Sequence, residues 1–273
     1  MKRKLIVTGD DFGASRPVNE SIEEAHRRGI LSTASLMVGA AAAVDAVDRS
    51  RRLGSLRVGL HLVLVNGSPL SAPSDIPGLV EPEGRLRSHL FRAATGFFFQ
   101  SGVRRQLEQE IRAQFQAFRD TGLHLDHVNC HKHMHLHPTI GGLVLKVGRE
   151  FGLKAVRYPY EPLLPSCRAS KSIRRRSLAW LFLLPWQALL KARLRRAHVR
   201  SNDYIFGMHD SGAMDIDLVL GILKHLPPGV SEIYFHPGGP ADSGCREELT
   251  LTSPALRQAL DDCGIRSIGF GDL

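Results

Sequence analysis

Short apolar runs alternate with helical stretches along the whole chain. The apolar runs predict buried strands at residues 5–7, 33–39, 56–65, 125–129, 154–157, 232–236 and 267–270. Amphipathic periodicity predicts helices at residues 15–29, 40–53, 103–122, 140–152, 216–226 and 254–263. Such alternation is typical of a parallel sheet with helical crossovers.

Polar residues recur where the predicted strands end. Asp10 and Asp11 follow the first strand, His61 lies in the third, and His236 closes a late one. The catalytic face of a β/α barrel is built from such strand ends. We therefore expect an α/β fold, a distorted TIM-like (β/α) barrel in a single domain over residues 1–273. An open doubly wound sheet is the competing fold.

Composition agrees with a large core. The chain has 273 residues, of which 43% are hydrophobic and 23% charged. Its four cysteines form no CxxC pair, which favours a reducing compartment and a cytoplasmic location. The basic start is followed by only three apolar residues before Asp10, which predicts a strand and not a signal peptide. Residues 66–100, rich in Pro, Gly and Ser, predict a long loop or lid.

The net charge of +9 is concentrated in one segment. Residues 168–200 contain ten Lys and Arg and no Asp or Glu, whereas the remaining chain has 26 basic and 27 acidic residues. We expect this cationic insert to decide the partners of the protein.

The middle of the insert is apolar. Residues 177–190 hold both tryptophans and are interrupted by Pro185. They are too few for a membrane span, which needs about 20 residues. Apolar residues between cationic flanks favour peripheral contact with an anionic membrane. The alternative is a core helix with solvated basic ends.

Asp10 and Asp11 are the first candidates for chemistry. Adjacent carboxylates repel each other unless a cation lies beside them, so one could bind a metal while the other acts as a general base. The alternative is a helix cap followed by a solvated acid.

A histidine-rich run is the strongest single signal. Residues 126–138 contain five of the thirteen histidines in the chain. From His131 onward histidine occupies every second position, so an extended backbone would place His131, His133, His135 and His137 on one side. That arrangement indicates a metal site, and a solvated polar loop is the alternative.

Three isolated residues complete the candidate set. His61 and His236 each close an apolar stretch, and either could instead be a hydrogen-bonded core histidine. Arg157 ends a predicted strand and could pair with Asp10, holding it ionised and oriented, or form a surface salt bridge.

Together these motifs resemble the YdjC-like carbohydrate deacetylase family. The resemblance rests on Asp10-Asp11-Phe12-Gly13, Gly59-Leu60-His61, His127-Val128-Asn129-Cys130-His131 with His133 and His135, and His236-Pro237. Phrases such as residues 34–39 and 231–237 are closer still to the branch associated with hopanoid biosynthesis. The family has a distorted β/α barrel and removes acetyl groups from N-acetylated sugars.

The resemblance implies a role for each candidate residue. Asp11, His61 and His131 would bind one divalent metal ion, and the mixed ligands fit Zn²⁺ without excluding Mg²⁺ or Mn²⁺. Asp10 would be the general base, with Arg157 beside it, and His236 would protonate the leaving amine. The implied substrate is an N-acetylglucosaminyl lipid, specifically N-acetylglucosaminyl hopanoid, or a chitooligosaccharide, met at the inner face of the cytoplasmic membrane.

One departure and three rival interpretations accompany this assignment. Asn129 and Cys130 replace the usual Asp-Ser, which removes a carboxylate that might orient a metal ligand. A membrane-surface protein with an inactive site is therefore one rival. A metal-dependent sugar isomerase or phosphoesterase is another. A nucleic-acid-binding protein is not expected, because the chain has no recognised binding motif and few suitable aromatics.

Overall fold

The computed structural model describes residues 3–88, 100–170, 173–239 and 241–273. Its seven strands are β1 (Arg3–Phe12), β2 (Thr33–Leu36), β3 (Arg57–Leu62), β4 (Val128–Cys130), β5 (Tyr204–Phe206), β6 (Gly229–Phe235) and β7 (Arg266–Ser267). The α-helices in the described residues are α1 (Arg16–Arg28), α2 (Ala43–Leu53), α3 (Ser101–Asp120), α4 (Pro138–Glu150), α5 (Leu163–Ala169), α6 (Ile173–Arg196), α7 (Ile216–Lys224), α8 (Ala241–Leu251) and α9 (Pro254–Asp262).

The strands follow one another round a distorted barrel. All pairings are parallel, and the order in the sheet is β4-β3-β2-β1-β6-β5. Residues 155 and 156 connect the two edges through isolated bridges to Arg200 and Val128. Neighbours therefore run in chain order and return to β1, as in a barrel. The predicted barrel is confirmed, and the open doubly wound alternative is wrong.

Alternation along β1 separates the outer core from the barrel interior. Leu5 and Val7 belong to the main core shared with the helices. Ile6 instead packs in a small separate cluster with Ala155, Ile268 and Phe270. Because residue 155 lies opposite β1 in the circle of strands, this cluster closes one end of the interior. The polar groups of the site lie above it, toward the carboxyl ends of the strands.

Helix α1 shows how local sequence sets the elements around the barrel. The Ser15 hydroxyl accepts a hydrogen bond from the backbone N–H of Val18, which satisfies one otherwise free donor of the first turn. Val18, Ile22 and Ala25 recur at helical spacing and are buried against the sheet.

Several predicted elements differ from the structure. The segment 154–157 forms only isolated bridges, and 267–270 gives a two-residue strand followed by a 3₁₀ helix at Phe270–Asp272. The expectation of an extended histidine run is wrong, because residues His131–Leu136 form a 3₁₀ turn. Lys132 and His133 both have φ of 53°, so the chain reverses there and the side chains diverge.

The structure describes part of the predicted loop and most of the insert. Residues 66–88 of the predicted loop form turns, and residues 89–99 lie outside the described residues. Most of the insert 168–200 forms α6, which the sequence pattern did not predict as a continuous helix. Within the described parts of the chain, none of the helices is long and apolar enough to cross a membrane.

Close contact between β3 and the residue before β4 requires a glycine. A Cβ atom at Gly59 would lie 2.4 Å from the imidazole of His127 and 2.6 Å from its carbonyl oxygen. Both His127 atoms are buried, and the backbone N–H of Leu60 donates to that same oxygen at 2.9 Å. No side chain fits at this point without moving the strand.

We predict that Gly59→Ala lowers the free energy of unfolding by about 1–3 kcal/mol, because the added methyl overpacks the interior. Urea denaturation would measure the loss. Gly102→Ala is the matched control, since nothing lies within 4 Å of a Cβ atom there. Equal stability of the two variants would contradict the packing argument.

Candidate metal and catalytic site

A bulge at the end of β1 brings both acidic side chains to one cavity. In a regular strand, Asp10 and Asp11 would point to opposite faces. The pairing with β2 shifts register between Gly9 and Phe12, and Asp11 has φ of 61°. Bulges and left-handed residues re-aim side chains at functional sites, at a cost in backbone strain. Here both carboxylates line a cavity of about 700 Å³.

Asp11, His61 and His131 converge on one point. Asp11 Oδ1 lies 3.3 Å from His61 Nε2 and 3.4 Å from His131 Nδ1. The two imidazole nitrogens are 3.4 Å apart. Three ligand atoms are thus brought together from the ends of β1, β3 and β4.

This triangle fits a divalent metal ion. Ligand atoms about 2.1 Å from a tetrahedral zinc are separated by about 3.4 Å, which matches all three distances. Asp11 Oδ1 is buried, and no described residue donates a hydrogen bond to it. Asp10 and Glu232 both bind the guanidinium of Arg157, and Asp11 adds a third carboxylate beside the imidazoles of His61 and His131, which leaves two negative charges for a divalent cation to balance.

The pKa shifts of Asp11 and His61 also favour a cation at this triangle. Burial raises the pKa of Asp11, but the two facing imidazoles lower it further, so the carboxylate stays ionised. Burial lowers the pKa of His61, and the charges of Asp10 and Asp11 raise it by more. The site therefore favours positive charge where its three ligand atoms meet.

Asn129 fixes which nitrogen of His61 is free. Its amide nitrogen lies 3.1 Å from Asp10 Oδ1 and 2.9 Å from Ser35 Oγ. Because an ionised Asp10 can only accept, the amide nitrogen must face it and the amide oxygen must face His61. His61 Nδ1–H then donates to that oxygen at 2.7 Å, and its Nε2 lone pair points at the ligand triangle. Asn129 thus orients the ligand without a carboxylate.

Arg157 holds Asp10 from across the barrel. Its Nη1 and Nη2 donate to Asp10 Oδ2 and Oδ1 at 2.6 and 3.0 Å, a two-pronged ion pair. Its Nε and Nη2 also donate to Glu232 at 2.6–3.1 Å, and all three side chains are buried. Burial raises the pKa of Asp10, but Arg157 and His61 outweigh it and hold this pKa well below its usual range.

His236 lines the same cavity on the wall next to Asp10, because β6 pairs with β1 and Phe235 lies beside Gly9. It follows β6, and its Nδ1 is 3.2 Å from Ser211 Oγ. The buried carboxylate of Glu247 accepts from the backbone N–H groups of His236 and Gly212 at 2.5 and 2.8 Å. Glu247 therefore holds together the two loops that form this wall, and its burial raises its pKa.

The other histidines of the run have separate surroundings. His127 lies between two oxygens: its Nδ1 is 3.1 Å from Asp126 Oδ2, and its Nε2 is 3.0 Å from Ser35 Oγ. His133 Nε2 is 3.2 Å from the Tyr234 hydroxyl. His135 Nε2 donates to the Arg157 carbonyl at 2.9 Å, and burial lowers the pKa of His135 to about 3. His137 lies immediately before α4. In the described residues, His131 is therefore the one histidine of the run that joins the ligand triangle.

Four residues of the site were not identified from the sequence. Glu232 and Tyr234 lie beside Arg157, whose guanidinium is 4.8 Å from the Tyr234 ring. Ser35 joins Asn129 to His127, and Glu247 supports the His236 wall. The acid directly before the apolar residues 233–235 was a usable signal for Glu232, because buried acids are almost always paired.

Solved structures place the fold among known α/β barrels. An Enterococcus faecalis protein, whose proposed activity is cellobiose-phosphate cleavage, superposes with a TM-score of 0.78 at 23% identity and covers 100% of this chain and 99% of its own. A lactam utilization protein from Thermus thermophilus gives a TM-score of 0.51 at 14% identity over 97% of this chain and 98% of its own. At these identities the likeness concerns the fold alone.

Sequence comparison places the chain in a family. The pattern of the YdjC-like protein family matches residues 4–262, and the chain belongs to that family. A carbohydrate deacetylase from Mus musculus is 30% identical over 99% of this chain and 94% of its own length. One from Brevibacillus brevis is 43% identical over 58% of this chain and 60% of its own.

A chitooligosaccharide deacetylase from Serratia marcescens is 34% identical over 56% of this chain and 58% of its own length. The matches to these bacterial relatives therefore span only about three-fifths of each relative's length.

We predict that Arg157→Met lowers the free energy of unfolding by about 3–5 kcal/mol, because it leaves Asp10 and Glu232 buried without a cation. Adding Glu232→Gln to this variant should recover part of the loss. Chemical denaturation of the two variants and the wild type gives the comparison. An Arg157→Met protein as stable as the wild type would show that the buried cation is not required.

Proposed function

We propose that this protein is a metal-dependent hydrolase that removes the acetyl group from an N-acetylated amino sugar. The observation that carries the proposal is the ligand triangle of Asp11, His61 and His131, with the Arg157-bound Asp10 beside it in the same cavity. Relatives named carbohydrate deacetylase and chitooligosaccharide deacetylase support this reaction class.

In the proposed reaction, water attacks the acetyl carbon, the C–N bond breaks, and acetate and a free amine are released. A divalent cation held by the triangle would make the water more acidic and polarise the acetyl oxygen. Asp10 accepts the proton of the water, because Arg157 keeps the Asp10 carboxylate ionised. Since the pKa of Asp10 is low, Asp10 is a weak base, and the water that it deprotonates must already be acidic. His236, which lines the same cavity, donates a proton to the leaving nitrogen.

The substrate that we propose is N-acetylglucosaminyl hopanoid, a sugar carried by a lipid, met at the inner face of the cytoplasmic membrane. The likeness to the hopanoid-associated branch and the cationic, tryptophan-bearing insert support a lipid-linked substrate over a free oligosaccharide. The chitooligosaccharide remains the comparison substrate, since one relative carries that name.

We expect acetate release from N-acetylglucosaminyl lipid to exceed that from chitooligosaccharides, to stop when a chelator removes the metal, and to return when Zn²⁺ is added. Asp10→Asn should retain its metal and lose about 10²–10⁴-fold in rate, because a positioned base contributes that much. Asp48→Asn, which alters an exposed acid paired with Arg51, is the control and should keep full activity. Full activity after demonstrated metal removal would refute the proposal.

A further inference from the structure

We propose that an exposed apolar face on α5 and α6 docks on an anionic phospholipid bilayer and turns the mouth of the active-site cavity toward the lipid surface. This docking face consists of Leu181, Phe182, Trp186 and Leu189 on α6, and α5, which packs against α6, adds the exposed Leu164. The part of this inference that concerns the substrate rests on the proposed function, since a bilayer would present a glycolipid to the site. The docking itself does not rest on the proposed function.

The face is apolar, exposed and continuous along one helix. Leu181 and Phe182 are 64% and 74% exposed, and Trp186 and Leu189 are 38% and 37% exposed. Positions 182, 186 and 189 recur at helical spacing and share one side of α6. The opposite side, with Gln187, Leu190 and Leu194, is buried against the barrel. The helix is therefore anchored on one side and presents apolar side chains on the other.

The direction of α6 places this face at the catalytic end of the barrel. Beyond the end of the helix, Arg200 pairs with Ala155 near the start of a barrel segment. Gln187 donates to the carbonyl of Pro159, two residues beyond Arg157, so the helix runs against the strands. Leu181 lies six residues earlier, about 9 Å further along the helix axis. The docking face therefore extends past the strand ends where the cavity opens.

Charge favours a bilayer over a second copy of the chain. No Asp or Glu occurs between Glu161 and Asp203, and ten Lys and Arg lie within 168–200. Among them Arg168, Arg195 and Arg196 are exposed. Two copies meeting through this face would bring like charges together, whereas anionic headgroups complement the basic groups while acyl chains cover the apolar ones.

Binding of the full-length protein to vesicles tests the proposal. Vesicles of phosphatidylcholine mixed with phosphatidylglycerol should bind the wild type, and phosphatidylcholine alone should bind it at least about ten-fold less, with the difference shrinking at high salt. Both tryptophans lie in α6, so quenching of their fluorescence by brominated lipid tails reports contact of this helix alone.

Phe182→Glu should lower the partition coefficient on the mixed vesicles about ten-fold or more, because it removes an exposed aromatic group that would enter the bilayer and adds a charge that the anionic headgroups repel. Leu249→Glu is the matched control. Leu249 is 72% exposed, but it lies on α8, near the end of the barrel where α1 finishes. We expect it to bind like the wild type.

Wild-type protein that ignores the mixed vesicles, or Phe182→Glu protein that binds them equally well, would overturn the docking proposal. So would a wild-type dimer that Phe182→Glu dissociates, because the face would then be a contact between copies. Acetate release from N-acetylglucosaminyl lipid dispersed in neutral detergent, where no anionic bilayer is present, separates the two proposals. Docking with no hydrolysis by the wild type would leave docking supported and the proposed function refuted.

Discussion

The buried guanidinium of Arg157 is the interaction on which the interior of the barrel depends. It neutralises Asp10 from β1 and Glu232 from β6, two carboxylates whose burial without a cation would cost several kcal/mol, on the order of 3–5. The interior of a β/α barrel is usually filled by branched apolar side chains. Here Ile6, Ala155, Ile268 and Phe270 make the closed end apolar, and the charged network occupies the space beneath the site.

That network determines the geometry of the candidate metal site. An ionised Asp10 fixes the orientation of the Asn129 amide, and the amide fixes the ring of His61. The bulge in β1 turns Asp11 into the same cavity, at the cost of a left-handed backbone. A charge pair on one side of the barrel and a strained turn on the other thus bring three ligand atoms within 3.4 Å of each other.

Much of this arrangement could be predicted from the chain, and the reasons for the exceptions are physical. Apolar runs located the strands, acids and histidines at their ends supplied the candidates, and the family resemblance selected Asp11, His61 and His131 among them. The extended conformation predicted for the histidine run was wrong, because periodicity cannot reveal the left-handed turn at Lys132 and His133. From the sequence alone, Asn129 is interpreted as the loss of a carboxylate that orients a metal ligand, although the amide oxygen of Asn129 can orient His61 as a carboxylate would.

Helix α6 escaped prediction for a related reason. Its apolar residues occupy both the buried and the exposed sides, so the pattern lacks the polar face that marks an ordinary surface helix. The apolar residues on the exposed side of α6 therefore explain both why the sequence pattern does not predict the helix and why its outer side is apolar in the structure. The exposed apolar residues of α6, in a stretch of sequence without Asp or Glu from residue 162 to 202, are the observation on which the proposed membrane docking rests.

The central claim, that Asp11, His61 and His131 form one metal site, is tested most directly by zinc content at equilibrium. Dialysis against buffered Zn²⁺ followed by elemental analysis should find one bound ion per chain in the wild type and none in His131→Ala. His26→Ala removes a histidine of α1 that contacts Leu31 and Ser55, and it should keep the ion. Equal zinc content in the wild type and His131→Ala would contradict the account.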